Sequence, residues 1–80
     1  MSGNEIRTKR NAGGIVGHVL CRKVSISRNR LSELERGYVA PERDELERLD
    51  AALDELIKAK RRMEQFAAEA GWPMAAGVGL

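Results

Sequence analysis

From Pro41 to Ala70 the chain runs thirty residues without a glycine or a second proline. With neither breaker inside it, this stretch predicts one continuous helix over about 42–70, roughly 43 Å long at about 1.5 Å per residue. Pro41 suits a first helical position, where its missing N–H costs nothing. Glu42, Asp44 and Glu45 follow at the positive end of the helix dipole, and Gly71 with Trp72-Pro73 supplies the stop. Leu46, Leu49, Leu53, Leu56, Ile57, Met63, Phe66, Ala67 and Ala70 form an apolar stripe at alternating steps of three and four, the spacing of a heptad seam. Lys60 interrupts the seam, and Ile57 takes over locally. Such a helix is too long to be covered by the forty residues before it. Either it kinks and folds back over its own core, or, as is expected here, its seam from Leu49 onward, through Leu53, Leu56, Ile57, Met63, Phe66, Ala67 and Ala70, meets a second copy or a protein partner.

The preceding residues read as three short helices. One is expected over about 4–11, capped by Asn4 or Ser2. A second, over 16–23, places Val16, Val19, Leu20 and Val24 at helical spacing. Its start is weak, since Gly17 costs about 1 kcal/mol relative to alanine and no Ser or Thr caps it. A third, over 27–36, begins at Ser27, whose hydroxyl can accept an orphan N–H one turn in. It turns Leu31 and Leu34 inward, leaves Arg28, Asn29, Ser32, Glu33 and Arg36 outside, and stops at Gly37 through a positive φ. Val24-Ser25-Ile26 leaves room only for a tight turn, with Ile26 plugged between the helices. Strand signals are confined to Ile15-Val16. The expectation is an all-α chain: a compact helix-turn-helix head over 1–40, one long dimerising or partner-binding helix over 41–72, and a flexible tail over 73–80.

Charge is divided along the chain. Residues 1–40 carry eight basic and three acidic side chains, a net of +5, whereas residues 41–80 carry six basic and nine acidic, a net of −3. The first half is suited to a polyanion and the second is not. Cys21 and His18 are the single cysteine and the single histidine. No disulfide or Cys-based metal set can form within the chain, so no metal or cofactor is expected. The carboxylates at 42–47 and 54–55 lie on an exposed helix with no cleft to shift them. Gly13-Gly14 lacks the strand and the Lys-Ser/Thr ending of a phosphate loop. The chain is read as not an enzyme. Nothing approaches the twenty or so apolar residues of a membrane span, nor the apolar run of a signal peptide, so a cytoplasmic protein is expected.

GIVGHVLCRKVSISRNRLSELERGYVAP, Gly14 to Pro41, resembles the helix-turn-helix of the Cro/C1-type repressors, the XRE family. The likeness extends back to Ile6 and Arg10 and forward to about Leu53. Its most specific part is Ser27-x-x-x-Leu31-Ser32-x-Leu34-Glu35-Arg36-Gly37, followed by Pro41 and the Leu46/Leu49/Ala52-Leu53 pattern. The resemblance implies that residues 27–36 form the recognition helix in the DNA major groove, with Arg28, Asn29 and Glu33 at the base-reading positions. Gly17 stands where the family often has a phosphate-gripping side chain. Arg36, Tyr38 and Val39 match the end of the recognition helix and the backbone-touching loop, and Arg10 with Glu35 matches an internal salt bridge. The sequence departs from the family pattern at Ser25, where the turn usually has glycine; at Cys21, usually alanine; and at Val16, usually a Ser/Thr cap. One long helix replaces the family's short fourth and fifth helices.

The chemistry of these side chains agrees with double-stranded DNA as partner. Arg28 can donate twice to guanine O6 and N7, Asn29 can pair with adenine, and Glu33 can only accept, as from cytosine N4. Ser27, Arg22, Lys23, Arg30, Arg36 and Tyr38 are the expected backbone contacts. The function expected is a sequence-specific regulator acting as a homodimer on a two-fold operator. The competing readings are a small co-regulator or antagonist that grips another protein through its long helix, and the antitoxin of a toxin–antitoxin pair.

Overall fold

A computed structural model describes residues 1–71. Those residues fold into four helices and no strand: α1 Gly3–Ala12, α2 Gly17–Val24, α3 Arg28–Arg36 and α4 Glu45–Glu69. No helix among them is long and apolar enough to cross a membrane. The expected tail over 73–80 lies outside the described residues.

Local chemistry explains most of the boundaries. Ser2 caps α1, its hydroxyl accepting the Glu5 N–H at 3.3 Å. Ser27 caps α3 in the same way, accepting from Arg30 N at 3.0 Å. Gly37 stops α3 with φ 77°, where a side chain would be strained. The N-cap of α2 is Val16, which makes no side-chain cap hydrogen bond. Ser25 closes α2 in the left-handed region at φ 60°, ψ 47°, which gives the tight turn before α3 at a conformational cost of about 1–2 kcal/mol for a non-glycine residue.

The long helix starts later than expected. Pro41 and Glu42 precede it, and the chain turns at Asp44, φ 64°. The Glu45 carboxylate is the reason. It accepts the Glu42 N–H at 2.8 Å and is gripped by Arg30 from α3, so residues 42–44 are held as a turn and the helix begins at the anchored residue. From Glu45 the helix is unbroken to Glu69, including the basic stretch Lys58–Arg62. Lys60 does not disrupt the seam, because its ammonium reaches the Gly14 carbonyl at 3.1 Å and caps the end of α1.

One core joins the elements. Ile6, Ile15, Leu20, Cys21, Leu31, Leu34, Leu49, Ala52 and Leu53 are buried together, with Val24, Ile26, Val39, Leu46, Leu56 and Ile57 packed against them. The core therefore crosses the division expected at residue 40, since the first half of α4 closes the head. On α2 the buried positions are Leu20 and Cys21, while Val16 and Val19 are exposed. The helix is turned slightly from the face expected, so that Cys21 packs where a small residue fits. At the start of α1, Gly3 lies so close to the Leu34 carbonyl that any side chain would collide with it.

Candidate nucleic-acid interface

The interface is organised by two ion pairs that hold α3. The guanidinium of Arg10 on α1 donates to both Glu35 oxygens, Nε to Oε2 at 2.8 Å and Nη2 to Oε1 at 3.0 Å. Its third contact is the Ile15 carbonyl at 3.2 Å. Glu35 is buried, and its two-point grip stands where the resemblance implied it. The hydrogen bond to Glu35 raises the pKa of Arg10, so the guanidinium is locked in its charged form and committed to the fold. On the opposite flank, Arg30 donates Nε to Glu45 Oε2 at 3.0 Å and Nη2 to Oε1 at 2.7 Å. Arg30 holds the Glu45 carboxyl below the usual carboxylate range. Two planar forks thus fix both the position and the rotation of α3.

These pairs correct two of the expected backbone contacts. Arg30 is occupied by Glu45 and turned toward the start of α4, so it is not available to a phosphate. Lys23 meets Glu55 of α4 at 2.9 Å and lies on the side of α2 that packs against α4. An exposed pair of this kind is weak, but it places the ammonium away from α3. Ser27 spends its hydroxyl on capping α3, so what it offers a ligand is the helix start it shapes.

The other expected residues are accessible. Arg28, Asn29, Glu33, Arg36, Tyr38 and Arg22 are all exposed, and Tyr38 is 72% accessible. None of Arg22, Arg28 and Arg36 makes an ion pair among the described residues. Arg28, Ser32 and Arg36 follow one another at steps of four on α3 and line a groove of about 340 Å³. Its other wall is Val16, Gly17 and His18 at the start of α2, with Arg7 of α1 at the rim. Val16 makes no side-chain cap hydrogen bond at the start of α2, so the positive end of that helix beside the groove favours an anion. Cys21 lies on the groove floor. Burial raises its thiol pKa, so it is a neutral packing group. Gly17 leaves the α2 wall bare, and a Cβ there would touch Leu31 at an ordinary 3.6 Å.

No family model, curated protein or solved structure matches this chain.

Sequence reasoning missed Arg7. It lines the groove beside Arg28 and Arg36 and also faces the neighbouring hollow formed with Asn4 and Tyr38. A signal was present: Arg7 stands three residues before Arg10, so on a helix it shares the face that Arg10 turns toward Glu35. His18 is likewise a wall of the groove and not merely a residue beside the turn.

The interface expected along α4 needs a larger correction. Leu49 and Leu53 are 1% and 0% accessible inside this chain's own core, so they cannot face a partner. Leu56 and Ile57 are half-buried against the same core, with Ile57 packed at Gly13. Only the outer part keeps an uncovered apolar side: Met63 and Phe66 are 72% and 66% accessible, Ala67 is partly covered and Ala70 is exposed. The first half of the helix spends its stripe on the head because α1 and α2 both pack on it. Among the described residues no group of three or more His, Cys, Asp or Glu side chains comes together as a metal site would require.

Proposed function

We propose that this chain is a sequence-specific DNA-binding regulator that works as a homodimer on a two-fold operator, with α3 as its recognition helix. One observation carries the reading. Of the eight basic side chains of the head, Lys9, Arg10, Lys23 and Arg30 meet Asp50, Asp54, Glu35, Glu55 and Glu45, whereas Arg7, Arg22, Arg28 and Arg36 form no ion pair among the described residues, and three of these four, Arg7, Arg28 and Arg36, line one groove. Three unpaired arginines around a single groove make a surface suited to phosphates. The resemblance to the XRE family supports the same assignment of α3.

In this reading Arg28 and Asn29, in the first turn of α3, meet base edges. Arg7, Arg36, Arg22 and the uncapped start of α2 hold the backbone. Glu33 accepts from a cytosine amino group and penalises any base that offers only acceptors there. The test is a binding titration with labelled genomic fragments at two salt concentrations. A specific site survives moderate salt, whereas equal, salt-sensitive binding of every fragment would reduce the interface to charge alone. The co-regulator reading has Glu33 in its favour, because a carboxylate on the reading face repels phosphate. Absence of DNA binding, with a stable protein complex recovered through α4, would replace the first reading by that one.

A further inference from the structure

Among the described residues, the outer half of α4 presents an apolar strip on which Met63 and Phe66 are largely exposed. Ala59, Met63, Phe66, Ala67 and Ala70 recur at helical spacing and continue, along the same side of the helix, the line of Ala52, Leu53 and Leu56 that packs on the head. This continuity limits what can cover the strip. A parallel second helix laid along it would run, within about three turns, into the space its own head and its neighbour's head already fill, and the described chain is about 20 Å thick across its shorter axes. An antiparallel helix leaves in the other direction. It overlaps the strip from the C-terminal end as far as Lys60, where the head ends at the Lys60–Gly14 contact, and then continues beyond the first copy's α4.

Charge agrees with that arrangement. With residues 60–70 overlapped about a centre near residue 65, Arg62 of one copy falls opposite Glu69 of the other, twice by symmetry. In antiparallel pairing the same flank of each helix meets itself. Both side chains are exposed, and among the described residues the Glu69 carboxylate accepts from Gln65 of its own helix, at 3.2 Å. In parallel register opposite flanks meet, so Arg62 would fall near Ala67 of the other copy and not opposite Glu69. Phe66 falls near the two-fold axis, and Met63 packs on the small Ala67 across it.

We infer that two copies of this chain pair tail to tail, antiparallel, through the outer half of α4 alone, with their heads at opposite ends. This rests on the homodimer part of the function proposed above and specifies how that dimer is built. The patch is small beside the roughly 800 Å² per partner of a stable interface, so pairing in free solution is concentration-dependent, and two half-sites on one DNA hold it together. The starts of α4 lie on the order of 60 Å apart by helix rise alone. Half-sites are therefore expected nearer two helical turns apart than one.

The test measures distances between copies in the full chain, without DNA. Spin labels are placed at Glu47→Cys and, separately, at Ala68→Cys, each in a Cys21→Ala background whose helicity is checked first. Tail-to-tail pairing gives a long separation at position 47, on the order of 50 Å, and a short one at 68, within about 20 Å. Two short separations, or no dipolar coupling in concentrated protein, would overturn the proposal. Charge reversal provides a second test in the chain with its native cysteine. Arg62→Glu lowers the mass seen by light scattering, and adding Glu69→Arg restores it. An unchanged mass for the single variant, or no rescue by the second, would equally overturn it. Gel shifts with the same proteins report DNA binding separately, so a failed dimer geometry and a failed DNA reading give different results.

Discussion

The two halves of α4 carry the same pattern and meet different fates. Over Glu45–Lys60, Leu49 and Leu53 are buried with Leu46 and Leu56 packed against them, and several flanking charges are engaged: Lys9 reaches Asp50 and Asp54, each at 2.6 Å, Arg30 holds Glu45, and Lys60 reaches the Gly14 carbonyl just past α1. Over Arg61–Glu69, Met63 and Phe66 recur at the same spacing with most of their surface in water, and no inter-element ion pair forms among the described residues. Periodicity therefore states that a face is apolar without stating what lies against it. Coverage depends on the reach of the other helices, and α1 ends at the level of Ile57 and Lys60.

The largest effect that separates the halves is a charge placed on each. Leu53→Asp buries an unpaired carboxylate at a site with 0% accessibility, at a cost of several kcal/mol that rivals the whole stability of so small a domain. Phe66→Asp leaves the head folded. Circular dichroism melts of both variants check this, and a cooperative, undiminished melt for Leu53→Asp would break the comparison. Truncation draws the same line more finely. Leu49→Ala is expected to cost about 2–5 kcal/mol by opening a cavity, and Met63→Ala to stay within about 0.5 kcal/mol in the monomer. Chemical denaturation at low protein concentration measures both.

Acid probes the anchored start of the inner half. The folded-state pKa of Glu45 is lowered, first by its hydrogen bond to Arg30. Its contribution is therefore present above the ordinary carboxylate range and lost as the pH falls through the folded-state value. Glu45→Gln should lower the melting temperature at neutral pH and flatten its decline in acid, leaving hydrogen exchange over residues 61–69 unchanged. The smallest effect is a gain. Ser25→Gly relieves a left-handed residue and should stabilise the head by about 1 kcal/mol. Hydrogen exchange would then slow at Leu49–Ile57 and not at Met63–Glu69, because only the former amides open with the head. Equal slowing in both segments would mean the helix unfolds as one unit.

How much could be read beforehand follows the range of each interaction. Ser27 as a cap, Gly37 as a stop, Leu31 and Leu34 as inward residues, and the unbroken passage through Lys58–Arg62 all rest on contacts within about one helical turn, and each was legible. Arg28, Asn29, Glu33 and Arg36 were placed outside α3 by the same periodicity, and they are exposed. The start of α4 was misplaced because Glu45 is fixed by an arginine fifteen residues earlier. Arg30 and Lys23 looked like free cations because their partners, Glu45 and Glu55, lie on another element. Arg7 was overlooked because its companions in the groove come from α3.

By itself, then, the sequence determined the helical character of this protein, most of its caps and stops, and the polarity of each helix face, since these arise from backbone conformation and side-chain spacing inside a few neighbouring residues. Only the tertiary structure decided which arginines are spent on the fold and which remain at the groove, and how far along α4 the core extends. Those outcomes depend on which side chains meet from different elements, and an ion pair or a buried leucine exists only where the packing of α1, α2 and α3 brings its partner within reach.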